Sequence, residues 1–307
     1  MALEERLANF QAAHDELADA YGAHGLGMPP HAVSEAVYTN VFFNVLGGGF
    51  ANDQFQPDVS LIEGVVPENV PYFEGVRAAI RQNPESPRPE TIQLGRMYGR
   101  WLASATELGF YKANANNAIS IGNDAITTKE GSAPLKVREG NVIEYGMGIN
   151  GLLTHRENLQ NGAYRLVHIG KSPLENAMLD GIADFYSVDE SQLVLEDAGI
   201  TSVTSDLLRN GGCSNETDAI IASYVQMADD LPVGIRNAYD LLRPGGMLAL
   251  RGPKYDRTGT GYEQAAETAV RTFGSEAVML NQDFDSVSPD GTKTAPSLTM
   301  IVQKPEN

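Results

Sequence analysis

The residues best suited to chemistry lie in one stretch, Val142-Ile143-Glu144-Tyr145-Gly146-Met147-Gly148-Ile149-Asn150-Gly151. A short apolar run ends in a carboxylate, and three glycines follow before a helix-forming segment. This spacing predicts a buried parallel strand feeding a tight turn. Gly146 and Gly148 permit backbone conformations, and a close ligand approach, that a Cβ would block. A turn of this kind presents free backbone N–H groups at the start of the next helix, where a polar or anionic ligand group is stabilised.

Other residues with chemical potential are scattered. The five histidines, His14, His24, His31, His155 and His168, show no metal-ligand spacing, and the single Cys213 offers no disulfide framework or cysteine cluster, so no metal site is expected. His168 falls inside an apolar strand and is expected to be a hydrogen-bonded core residue. His155 and Arg156 follow the glycine turn on a helix, where a solvated face is the plain reading of Arg156. His31 and Tyr38 in the N-terminal half, and Tyr224 at a strand end, are the candidate catalytic side chains.

The elements that must position these residues change character midway along the chain. The first ~130 residues read as helical. Leu3, Leu7, Phe10, Ala13, Leu17 and Tyr21 recur at three- and four-residue spacing, and Gly22 and Gly25 end the stripe. Pro29-Pro30 opens a second helix that stops at Gly47-Gly48-Gly49, residues 71–82 suit a third, and residues 89–112 a fourth. The stretches 114–117 and 127–133 read as loops.

From Val142 strands and helices alternate. Strands are expected at 142–145, 164–169, 200–204, 219–223, 247–251, 277–283 and 297–303, with helices at 152–161, 174–197, 231–242 and 262–272. Such alternation predicts right-handed crossovers and a parallel sheet. The last two strands are joined through Pro289-Asp290-Gly291, short enough for an antiparallel hairpin. The expectation is an α/β protein: a helical N-terminal cap over residues 1–130, and a Rossmann-like, mostly parallel seven-stranded domain over 131–307.

Composition narrows the function. A formal charge of −18 opposes a nucleic-acid partner, because a phosphate backbone requires a basic footprint. No apolar run approaches the ~20 residues that span a bilayer, and the N-terminus lacks the basic and apolar segments of a signal peptide. A cytoplasmic protein acting on a small molecule is the expectation. Phe- and Val-rich cap faces suit either a homodimer or packing on the sheet domain.

From Val142 to Lys304 the order of signals resembles the class I adenosylmethionine-dependent methyltransferase family. Four places carry the likeness: Glu144-Tyr145-Gly146-Met147-Gly148-Ile149-Asn150-Gly151, Ser205-Asp206-Leu207, Asp218-Ala219-Ile220-Ile221-Ala222-Ser223-Tyr224, and Leu241-Leu242-Arg243-Pro244-Gly245-Gly246-Met247-Leu248-Ala249-Leu250. The resemblance implies S-adenosyl-L-methionine as cofactor. Its contacts would come from Glu144, Tyr145, Gly146, Gly148 and Gly151 at the turn, and from Ser205, Asp206 and Leu207 after the third strand. Ser223 would contribute at the end of the fourth. An N-cap role competes for Asp206. After the second strand the family places an acid on the ribose hydroxyls. Here Gly170 stands in that position, followed by Lys171 and Ser172, which are counted with the cofactor-binding set.

The implied reaction is methyl transfer to a small molecule, with the acceptor pocket built by the cap. The same fold also transfers the aminocarboxypropyl group, or cyclises that chain with release of methylthioadenosine. Two rivals remain. Gly146-x-Gly148-x-x-Gly151 fits a dinucleotide fingerprint, with Lys171 and Ser172 placed for an NADP 2′-phosphate. A non-enzymatic module that lost its cofactor would also carry Gly170.

Overall fold

The computed structural model describes residues 3–23, 89–108, 119–122, 124–137, 140–146, 148–170, 173–197, 217–223, 231–255, 261–287 and 294–306. In chain order these form α1 (Leu3–Ala23), α2 (Pro89–Glu107), β1 (Ser120–Ile121), β2 (Ala125–Thr128), β3 (Gly131–Pro134), β4 (Asn141–Tyr145), α3 (Gly148–Gln160), β5 (Arg165–Gly170), α4 (Pro173–Phe185) and β6 (Leu193–Asp197). There follow β7 (Thr217–Ser223), α5 (Leu231–Leu241), β8 (Leu242–Pro253), α6 (Tyr262–Phe273), a 3-10 turn (Ser275–Ala277), β9 (Val278–Val287) and β10 (Thr294–Gln303). The expected second and third helices fall outside the described residues. No described helix is long and apolar enough to cross a membrane.

Two compact units form, one of Met1–Ala113 with Ser172–Tyr186, the other of Asn114–Lys171 with Ser187–Asn307. The first unit packs α1, α2 and the crossover helix α4 together. A Cβ added at Gly99 would lie 2.1 Å from the Met178 carbonyl oxygen, and one at Gly181 2.0 Å from that of Arg96, so these glycines let α2 and α4 touch backbone to backbone. Around that contact Arg96 pairs with Asp180 and Arg100 reaches Glu16 and Asp184. Tyr186 donates its hydroxyl to Glu107 at 3.0 Å.

The second unit is built on a seven-stranded sheet of order β6-β5-β4-β7-β8-β10-β9. The five strands from β6 to β8 are parallel, whereas β10 runs antiparallel to both β8 and β9. The expected terminal hairpin is present. Period-two alternation divides the sheet residues between two faces. Ile143, Val167, Ile169, Ile220, Ala222, Leu248, Leu250, Met300 and Val302 point to one side, where Leu231, Ile235 and Ala238 of α5 and Ala265, Ala269 and Phe273 of α6 close the core. Each large apolar side chain buried there contributes roughly 1.5–3 kcal/mol. The opposite face carries Glu144 and His168, and α3 packs on it through Leu152, Leu153, His155 and Leu159.

Three expectations are corrected. The third sheet strand is β6 at 193–197, and the helix expected to run through 197 stops at Phe185. Ser187 takes a left-handed φ of 53°, and Asp189 then closes a turn by accepting from the Ser191 and Gln192 amides. That turn releases Leu193-Val194-Leu195 to pair with β5. The stretch 200–204 lies outside the described residues. The segment 127–133, expected to be a loop, contributes to β2 and β3 of a separate three-stranded antiparallel sheet, in which Ile126 and Thr128 alternate inward. The strand expected at 247–251 is also longer, since β8 begins at Leu242. Pairing passes from Thr217↔Leu242 to Ala219↔Met247, so residues 243–246 bulge opposite Asp218. Gly245 takes a φ of 77° within that bulge, and Arg243 binds the Asp218 carboxylate.

Candidate functional site

The glycine turn forms at the end of the central strand. β4 lies between β5 and β7, so the chain winds outward from it in both directions, which makes its C-terminal end the topological switch point where open α/β sheets bind ligands. Gly146 and Gly148 have φ angles of 59° each, a left-handed geometry in which a Cβ is strained. The Gly146 amide donates to the Ile169 carbonyl at 2.9 Å, tying the turn to β5. Gly148 then opens α3, and Gly151 is buried in its first turn. The first amides of this helix have no intrahelical acceptor, and the helix dipole favours negative charge there.

Behind the turn lies a buried polar chain. His155 Nε2 is 2.9 Å from Glu144 Oε2, and His155 Nδ1 is 2.5 Å from the Tyr164 hydroxyl. Asn158 Nδ2 donates to that hydroxyl at 3.3 Å and to the Ile121 carbonyl at 2.8 Å. One tautomer satisfies the chain: Nε2–H donates to Glu144, and Nδ1 accepts the Tyr164 O–H. Burial raises the Tyr164 pKa well above the usual phenol value. Glu144 Oε2 is therefore taken up by His155, which ties α3 to β4. His155 sits on the apolar stripe of α3, in step with Leu152 and Leu159. That spacing was the available signal for its burial.

Gly170 ends β5, and its lack of a side chain has a local cause. A Cβ there would lie 2.6 Å from His168 Nε2. His168 is fully buried and projects from the same strand face two residues earlier. Its imidazole fills the space from which an acid at position 170 would start. Gly170→Asp is accordingly expected to cost about 1–3 kcal/mol through overpacking and to leave nucleotide affinity no tighter. Chemical denaturation and titration of that variant check this, and an unchanged stability would remove the clash argument.

Ser223 stands at the end of β7, level with Arg251 of β8, on the Glu144 face of the sheet. Tyr145 ends β4 on the other face, within the α5–α6 core. The structure thus gathers Glu144, Tyr145, Gly146, Gly148, Gly151, Gly170 and Ser223 at or beside the C-terminal ends of three adjacent strands. His31, Tyr38, Lys171, Ser172, Ser205, Asp206, Leu207 and Tyr224 lie outside the described residues. Among the described residues no group of His, Cys, Asp and Glu is placed to hold a metal ion.

The strand order is the deciding observation. Numbered within the sheet it reads 3-2-1-4-5-7-6, with the seventh strand antiparallel between the fifth and sixth. The chain has a class I methyltransferase-like fold. The doubly wound dinucleotide fold, by contrast, continues 3-2-1-4-5-6. No family model matches the chain, and no curated protein matches it. Solved structures similar to it include a putative methyltransferase from Thermoplasma acidophilum, with 13% identity, 56% of this chain and 71% of that chain covered, and a TM-score of 0.38. The N-methyltransferase NodS from Bradyrhizobium japonicum, in complex with S-adenosyl-L-homocysteine, shows 16% identity over 54% of this chain and 79% of that one, with a TM-score of 0.38. The cyclase SpnF shows 13% identity over 69% and 97%, with a TM-score of 0.42.

Proposed function

We propose that this protein is an S-adenosyl-L-methionine-dependent transferase that methylates a small-molecule acceptor. The observation that carries the reading is the glycine turn. Two left-handed glycines and a helix N-terminus sit at the switch point of a sheet with the methyltransferase strand order. The residues present fit the cofactor in kind: two glycines without a Cβ at the turn, the first amides of a helix, and a neighbouring strand end tied to the turn at Ile169. The acid usual at the ribose is absent, and His168 accounts for that absence locally.

When bound, the cofactor supplies an electrophilic methyl group on a sulfonium. The protein's own task is then to orient. Gly146 and Gly148 let the backbone reach the ligand, and Glu144 with His155 holds the turn in one conformation. A rigid turn matters because alignment of nucleophile and electrophile can provide most of the catalytic effect without a strong base. A small-molecule acceptor is supported by the −18 charge, which disfavours nucleic acid. A cytoplasmic setting and a homodimer belong to the same proposal.

Titration calorimetry with S-adenosyl-L-methionine and, separately, with NADPH tests the reading. The expected result is a dissociation constant on the order of micromolar for the former alone, whereas binding of NADPH alone overturns it. Product analysis then separates the chemistries. Adenosylhomocysteine marks methyl transfer, and methylthioadenosine marks use of the aminocarboxypropyl chain.

A further inference from the structure

One buried polar atom beside the turn has no partner among the described residues. Tyr145 is the last residue of β4, directly before Gly146, and its side chain is 1% exposed. The ring belongs to the apolar cluster with Ile143, Ile169, Ala222 and Leu250. Its hydroxyl is shut off from solvent and forms no hydrogen bond among the described residues. Burial pushes the phenol far above its ordinary pKa, so the group is a neutral O–H able both to donate and to accept.

This arrangement is costly unless the hydroxyl finds a partner. A buried hydroxyl without a partner forfeits its hydration, and a phenylalanine would fill the same apolar volume without that loss. Buried tyrosines ordinarily find a partner for the oxygen. The tyrosine stands at the switch point, next to a turn shaped for close ligand approach, and opposite in facing to Glu144, whose polar partners are already in place. A group left unsatisfied here by the protein is one that a ligand in the crevice can satisfy.

Resting on the cofactor reading above, we infer that Tyr145 is a ligand-binding residue whose hydroxyl takes its hydrogen-bond partner from a polar group of the nucleoside sulfonium held at the glycine turn. The contact deepens that reading. It gives the site a directional, neutral hydrogen bond on the largely apolar side of the sheet.

The test is Tyr145→Phe in the full chain, with S-adenosyl-L-methionine titrated into wild type and variant and the ligand-free melting temperature measured for both. The expected result is an affinity weakened about three- to tenfold, the range of one neutral hydrogen bond, with a ligand-free melting temperature equal or higher. Wild-type binding with unchanged affinity in the variant overturns the inference alone, leaving the hydroxyl to a water or to no partner. A melting temperature that falls with the affinity assigns the hydroxyl to the fold and also overturns it. Absence of binding by the wild type overturns the cofactor reading and this inference together.

Discussion

Replacing Arg251 by alanine is expected to destabilise the protein by about 3–5 kcal/mol, the loss typical of breaking a buried ion pair from one side. The side chain is 1% exposed although it carries a permanent charge. It donates through one terminal nitrogen to Glu130 Oε1 at 2.7 Å and through Nε to Oε2 at 3.1 Å, a two-pronged clasp. Thr299 adds a third donor to Glu130 at 2.8 Å, and the guanidinium lies 4.4 Å from the Phe284 ring centroid. Burial acts to raise the Glu130 pKa, but the Arg251 and Thr299 hydrogen bonds outweigh it, and the carboxyl ends below its usual value. The clasp pins the β2–β3 hairpin to β8 and β10. Without the arginine, the Glu130 carboxylate loses both charge-assisted bonds and keeps the Thr299 hydroxyl as a donor.

Denaturant unfolding of three proteins measures this. The single Arg251→Ala variant should lose the full amount, whereas Glu130→Leu combined with Arg251→Met should recover most of it, because well-packed apolar pairs often replace buried ion pairs without penalty. A single variant within ~1 kcal/mol of wild type would show that the clasp is solvated in solution and contributes as little as an exposed pair. Because the Glu130 pKa is lowered in the folded protein, its contribution is present above its ordinary value and lost as pH falls through the lowered one.

The parts of this architecture that could be read from residues alone share one property: their pattern is local. β4, β5, β7 and the β9–β10 hairpin announce themselves through apolar runs and Pro-Asp-Gly. β6 was hidden because residues 186–192 contain no glycine or proline to interrupt a helical pattern. The break is made by a left-handed Ser187 and an Asp189 turn instead. The β1–β3 sheet was hidden because its strands are short and polar. Their register is held by Glu130 binding Arg251, which lies 121 residues further along the chain.

The candidate site divides in the same way. The glycine turn follows from residue types, since only glycine adopts φ near +59° readily at both positions. What Glu144 binds does not follow, because it depends on how α3 docks and brings His155 round to face it. Gly170 is an intermediate case. The missing acid was visible, and so was its cause in principle: strand residues two apart share a face, and a histidine occupied that face at position 168. What the pattern lacked was the distance, 2.6 Å from the imidazole to any Cβ at 170.

His168 carries the second large prediction, a loss of stability in mild acid. Burial lowers its pKa from 6.5 to about 4. Between these values the unfolded chain takes up a proton that the folded protein refuses, so the unfolded state is favoured as pH falls. The contribution is constant above pH ~6.5, declines from there to pH 4, and levels off below, having removed about 3 kcal/mol. His168→Leu fills a similar volume and cannot titrate. Its stability at neutral pH depends on repacking against Gly170, so the informative quantity is the change between pH 7 and pH 4, in which that cost cancels. Carboxylates such as Glu130 contribute to both proteins alike. The wild type should therefore lose about 3 kcal/mol more than the variant across the interval, as read from denaturant midpoints at each pH. Parallel profiles would mean that the imidazole titrates in the folded protein as it does in water, and hence that the contact excluding an acid at position 170 is loose. A steeper wild-type profile ties the dry packing at His168 to the unusual strand end beside the glycine turn.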